Sequence, residues 1–108
     1  MKYRVRVTHE AEGHISSIER YIAEDSPENA RRWRVRLRDR LRSLKDFPER
    51  HEIAYRASEV GHDVRHTFFG VYRILYTAER DSVVILGVRH GARRPLTAED
   101  VRRMLPPK

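Results

Sequence analysis

Apolar positions recur along this chain with three distinct periods, and each period predicts an element. Tyr3-Arg4-Val5-Arg6-Val7-Thr8 alternates apolar and basic residues, the pattern of a half-exposed strand. From Ala11 the spacing lengthens: Ala11, Ile15, Ile18 and Ile22 fall on one face of a helix that Thr8 can cap. Ser26-Pro27-Glu28 then marks a second helix start. Serine supplies the capping oxygen, proline stands where its missing N–H costs nothing, and glutamate meets the positive end of the dipole. The following helix strings Ala30, Trp33, Leu37, Leu41 and Leu44 along one stripe, with Trp33 read as core, and Phe47-Pro48 ends it. Two amphipathic helices on a short polar link make an antiparallel hairpin whose apolar seam needs a sheet to cover.

From about His51 the period falls to two. Ile53–Arg56 and Val64–Phe69 read as strands, Gly70 as a turn, and Val71-Tyr72-Arg73-Ile74-Leu75-Tyr76 as a stronger strand rich in β-branched and aromatic residues. After the polar turn Glu79-Arg80-Asp81-Ser82, the run Val83-Val84-Ile85-Leu86-Gly87-Val88 is apolar on both faces, which suits a central strand. Thr97-Ala98-Glu99-Asp100 resembles a capping box with aspartate in the glutamate role, opening a short helix through Met104 that Pro106-Pro107 stops. The expected fold is α+β, in the order β-α-α-β-β-β with a final α. With 108 residues and no repeat, linker or low-complexity tract, one domain over 1–108 is expected.

Composition narrows the function classes. The absence of cysteine excludes disulfides, thiolate nucleophiles and cysteine-based zinc sites. No apolar run approaches the roughly 20 residues of a membrane span, and MKYRVRVTHE is charged where a signal peptide would be apolar, so a cytoplasmic protein is expected. The net charge of +7 favours acidic partners such as nucleic acid, ribosome or an acidic protein segment; an arginine-rich soluble surface explains it equally well.

Several words sit within this order of elements. They are Ser26-Pro27-Glu28-Asn29-Ala30 and Leu44-Lys45-Asp46-Phe47-Pro48 at the two ends of the second helix, then Val64-Arg65, Tyr72-Arg73-Ile74-Leu75-Tyr76, and Val88-Arg89-His90-Gly91-Ala92-Arg93 after the last strand. In order and spacing, over about residues 3 to 95, the chain resembles the RelE/ParE superfamily of type II toxin–antitoxin toxins, of the plasmid-stabilisation type. The resemblance implies a twisted, mainly antiparallel sheet packed on the helical hairpin, with an open basic face opposite. It implies growth inhibition, no cofactor, and a cognate antitoxin, acidic and encoded next door, that silences the toxin. It leaves the target open, because RelE-like members cut messenger RNA on the ribosome and ParE-like members poison DNA gyrase.

Arg73 lies mid-strand among apolar and aromatic neighbours, where an unpaired charge is expensive. The resemblance implies that in a ribonuclease it would meet the phosphate of the cleaved bond, a task suited to a two-pronged guanidinium. The alternative is a structural arginine tied to a carboxylate or carbonyl. His90 could exchange protons, or could simply form a turn with Gly91, which is the preferred reading. Arg93 could contact phosphate or the C-terminal helix. Arg65 and His66 occupy the strand where RelE-like toxins present lysines; this chain has none there, and no tyrosine after Tyr76. Both departures weigh against a nuclease, which needs a group to take the 2′-OH proton and another to stabilise the phosphorane. The catalytic candidates of a ribonuclease are therefore Arg73, His90, His66, Arg93 and Arg65, with Arg65, Arg73 and Arg93 also the nucleic-acid-binding candidates.

His62 and His66 stand four apart, but on a strand that spacing is about 13 Å, too far for a shared metal. In the second helix Arg31, Arg34, Arg38 and Arg42, with Lys45, flank the apolar stripe, either as a binding surface or as a solvated face paired with Glu12 and Glu19. A gyrase-directed toxin is preferred on the arginine-rich hairpin and the missing lysines and tyrosine. A ribosome-dependent ribonuclease is the alternative, and a non-toxic nucleic-acid-binding domain of the same fold stands behind both.

Overall fold

A computed structural model describes residues 3–107. Strand β1, Arg4–Val7, runs into Thr8, whose hydroxyl accepts the Ala11 N–H at 3.1 Å and so caps helix α1, His9–Asp25. Ser26 serves two helices. Its N–H donates to the Ile22 carbonyl at the end of α1, and its hydroxyl accepts from Asn29 N at 3.1 Å at the start of α2, Pro27–Ser43. One residue thus links the two helices of the hairpin. Phe47, in the left-handed region with φ 51°, turns the chain into a 3-10 turn, Pro48–Arg50.

Strand β2, Ile53–Tyr55, is followed by a four-residue helix α3, Ala57–Val60, that the sequence pattern does not announce. Tertiary bonds hold it: Asp63 accepts the Ala57 N–H at 2.8 Å, and the Arg102 guanidinium donates to the Glu59 carbonyl at 2.6 Å. Strands β3, Val64–Phe69, and β4, Tyr72–Glu79, meet at Gly70, whose φ of +58° suits glycine. Strand β5, Ser82–His90, completes the sheet, and helix α4, Ala98–Met104, starts at Thr97 with its reciprocal Asp100 cap as expected.

The sheet order is β1-β5-β4-β3-β2, antiparallel except for β1, which lies parallel to β5 from Arg4↔Ser82 to Val7↔Ile85. Flanked on both edges and covered on both faces, β5 is buried from Val83 through Val88, which explains its unbroken apolar run. One face carries Ile74, Tyr76, Val83, Ile85 and Val88 against Ala11, Ile15, Leu37, Leu41 and Leu44 of the hairpin. Trp33 and Ile18 are only partly buried at the margin of this cluster, so the tryptophan belongs to the rim, edge-on to Tyr72 at 5.5 Å, and not to the centre.

The opposite face departs from the expected open basic surface. Half of it is a second apolar cluster, in which Val60, Val101 and Met104 of α3 and α4 cover Val64, Leu75, Val84 and Leu86. A register shift opposite Leu75 and Tyr76 brings Gly87 close beneath α4; a β-carbon there would stand 2.5 Å from the Met104 methyl and 3.1 Å from the His14 ring. Only the remainder of this face stays open.

Candidate functional site

The open half-face is built from the ends of β3, β4 and β5. Alternation puts Arg73 on the Leu75 side of β4, and the register lines up Phe68, Arg73 and Arg89 in one row across three strands. The Arg73 guanidinium lies 5.6 Å from the centre of the Phe68 ring, which is 46% exposed. Its Nε is buried without a hydrogen-bond partner, so the structural alternative of a salt-bridged arginine is not what the geometry shows among the described residues. Arg89 stands directly opposite, a like-charge cross-strand pair. Burial, then the neighbouring Arg93, with Arg73 adding to it, lowers the Arg89 guanidinium below its ordinary range. Arg89 donates to the Arg94 carbonyl at 2.6 Å.

His66 shares this face and lies 5.7 Å from Phe68. Its Nε2 meets the Glu52 carboxylate at 2.8 Å, and its Nδ1 is buried and unpartnered. One nitrogen of the imidazole is therefore engaged by a carboxylate and the other is shut away from solvent.

The other sequence candidates go elsewhere. Arg65 points the opposite way from Val64 and His66 and clamps the end of the 3-10 segment, donating to the carbonyls of Glu49 at 2.9 Å and His51 at 2.6 Å. His90 packs edge-on to Tyr72 at 5.6 Å, on the hairpin side of the sheet, and its Nδ1 accepts the Ala92 N–H at 3.0 Å; it forms the turn. Arg93 is exposed beyond that turn, its N–H bonded to the His90 carbonyl. His62 pairs with Glu79 at 2.8 Å, so the two histidines address different carboxylates and make no joint site. In the hairpin, Arg34 bridges Glu12 and Glu19, the latter at 2.9 Å, as a paired face would.

Two functional candidates escaped sequence reasoning. Arg89 has the alternation signal, two residues after Gly87, but only the strand register reveals that it faces Arg73. His14 reaches from α1 to accept the Val88 N–H at 3.3 Å, a contact across 74 positions. Burial, outweighing the raising effect of Glu10 and reinforced by Arg89 and Arg93, pushes its pKa below the ordinary 6.5.

Chemically, the half-face offers paired guanidiniums and an aromatic surface. Among the described residues His66 is engaged by Glu52 and His90 lies on the other face, so these two sequence candidates do not meet as an acid–base pair.

Over residues 5–95 the chain matches the family described as ParE toxin of type II toxin-antitoxin system, parDE. Its structure is similar to one titled "Chromosomal ParDE TA system from P. aeruginosa", with a TM-score of 0.66 and 18% identity over 82% of this chain and 96% of that one, a likeness of fold. Among curated proteins none matches the chain.

Proposed function

Since the chain belongs to the ParE toxin family of type II toxin–antitoxin systems, we propose that it arrests growth by inhibiting DNA gyrase, as a single cytoplasmic domain silenced by a cognate acidic antitoxin encoded beside it. Its function is that of a ParE-like toxin. The gyrase assignment is carried by the scatter of the ionisable groups: Arg73 and His66 lie on one face, Arg65 and His90 on the other, and one nitrogen of each of these imidazoles is already bonded. A toxin that acts by docking needs no general base, whereas a ribonuclease does. Among the described residues no helix is long and apolar enough to cross a membrane.

One observation favours a second reading. Arg73 and Arg89 sit side by side next to the Phe68 ring, an arrangement able to hold a phosphate and stack a base, which suits a ribosome-dependent ribonuclease. Inducing the protein and examining DNA and message ends within the first minutes separates the two. The expected result is DNA breaks with intact messages, together with inhibition of purified gyrase. Toxicity of a folded Arg73→Ala variant should then persist. Early cuts inside codons that vanish with Arg73→Ala and return partly with Arg73→Lys would replace the gyrase reading, since loss of a preorganised phosphate contact costs about 10²–10³ in rate. Retention on nucleic acid without any growth arrest would indicate the non-toxic binding domain.

A further inference from the structure

Strand β1 covers β5 only as far as Ile85, yet β5 continues to His90. Beyond Ile85 the flank of β5 faces α1, and two depressions lie there back to back. One, of about 520 Å³, has an apolar wall formed by Ile18, Tyr21, Tyr72 and Val88. The other, of about 430 Å³, is polar and opens toward α4. Arg89 and Arg93, with His14 and Val88, line both.

Neither arginine forms a salt bridge among the described residues. The two acidic side chains of the polar depression form no salt bridge with either arginine: Glu10 lies 3.8 Å from the His14 ring, and Asp100 caps Thr97. Arg89 thus keeps a partly buried charge beside another cation, a cost that an incoming carboxylate would relieve. Tyr21, 69% exposed, leaves an aromatic ring in water at the mouth of the apolar groove. An apolar slot and an uncompensated cation pair, sharing one wall, ask for a ligand that is apolar and acidic within a few ångströms.

We propose that this double depression holds the silencing segment of the antitoxin: an extended acidic stretch that seats one large apolar side chain between Ile18, Tyr21 and Tyr72 and brings its neighbouring carboxylates to Arg89 and Arg93. This rests on the reading of the chain as a toxin with a protein antitoxin, and names where and how that partner binds. The site is separate from the Phe68–Arg73 surface, although Arg89 borders both.

The test uses the complex obtained by co-expressing the chain with the product of the adjacent gene, whose affinity is then measured for wild type and variants. Tyr21→Ala should weaken binding on the order of tenfold by removing an anchor. Arg93→Glu should weaken it about a hundredfold, part of the loss appearing as slower association that salt reduces further. Arg31→Glu, an exposed hairpin change of the same charge, should leave affinity within about threefold; thermal melts verify that each variant folds. Unchanged affinity in both site variants, with a tight wild-type complex, would place the antitoxin elsewhere and leave the toxin reading standing. A wild-type chain that neither arrests growth nor co-purifies with the adjacent product would remove the toxin reading and this site with it. If a single-stranded oligoribonucleotide binds the wild type and is the ligand that Tyr21→Ala and Arg93→Glu release, the occupant is nucleic acid and the proposal fails.

Discussion

Leu37 and Val35 lie two positions apart on α2 and answer the packing argument in opposite ways. Leu37 is 1% exposed, locked between the hairpin and the sheet, whereas Val35 is 54% exposed. Truncating Leu37 to alanine removes three buried carbons, roughly 2.4 kcal/mol at about 0.8 kcal/mol each. A void term adds to this, at about 24 cal/mol per Å³ of cavity that fails to collapse. Here that term is limited, because Leu37 borders a surface depression of about 330 Å³ shared with Val5, Val7 and Leu41, into which the truncated site can relax or admit solvent. The expected loss is therefore about 3 kcal/mol, in the lower half of the usual 2–5 kcal/mol range. Against a domain stability of about 5–15 kcal/mol, this lowers the urea midpoint by about 1–2 M at unchanged slope and the melting temperature by roughly 12–20 °C. Val35→Ala should stay within about 0.5 kcal/mol. The measurement is a urea titration followed by circular dichroism, on protein made by cell-free synthesis so that toxicity does not intervene. Equal effects of the two truncations, or a neutral Leu37→Ala, would show that the stripe does not face the sheet.

Tyr76→Phe should cost about 1–3 kcal/mol, because the buried hydroxyl donates to the Pro48 carbonyl and its loss leaves that acceptor unpaired. Burial also pushes the Tyr76 pKa from 10.0 to about 12, so an unfolded chain ionises first and wild-type stability should fall as pH rises above 10, less so in Tyr76→Phe; identical alkaline curves would contradict this. His14 and His51 are both held below the ordinary 6.5, chiefly by burial. The unfolded chain then binds more protons, so their contribution is complete above 6.5 and declines as pH falls below it. Denaturant midpoints should drop on acidification and drop less in His14→Gln, and a wild-type midpoint that rises instead would refute the assignment.

Much of this fold is written in short-range signals. Ser26-Pro27 and Thr97 with Asp100 announce helix starts because a cap is a local bond between residues three apart. The apolar run of β5 announces burial on both faces because water is excluded from both. What escapes is whatever distant residues decide. Helix α3 is four residues long, too short to form alone, and exists because Asp63, Arg102 and the apolar cluster that Val60 shares with Val101 hold it. The covered half-face follows from it, since Tyr55 donates to the Leu96 carbonyl at 2.6 Å and draws the segment before α4 over the sheet. At the site, alternation foretells that Arg65 and His66 face opposite ways, but the choice of side depends on register, which no single strand contains.

The charge of +7 admitted two explanations from composition, and burial discriminates between them. Arginines on the outer surface of α2, such as Arg31, Arg36 and Arg38, are exposed, and an unpaired guanidinium in water costs almost nothing. They inform neither reading. The two partly buried arginines of α2 both find partners, Arg34 in Glu12 and Glu19 and Arg40 in the Thr67 hydroxyl at 2.7 Å. The half-buried Arg73 and Arg89 receive no carboxylate partner among the described residues, although they face each other across adjacent strands and Arg73 Nε is shut away from solvent. A chain selected for stability alone would gain by placing a carboxylate there, as it does at Arg34. Leaving these two uncompensated lowers stability in the free protein and makes an arriving anionic partner worth more. The excess charge that matters is therefore this small, partly desolvated group on one half-face and its flank, which is where antitoxin and target have to be distinguished.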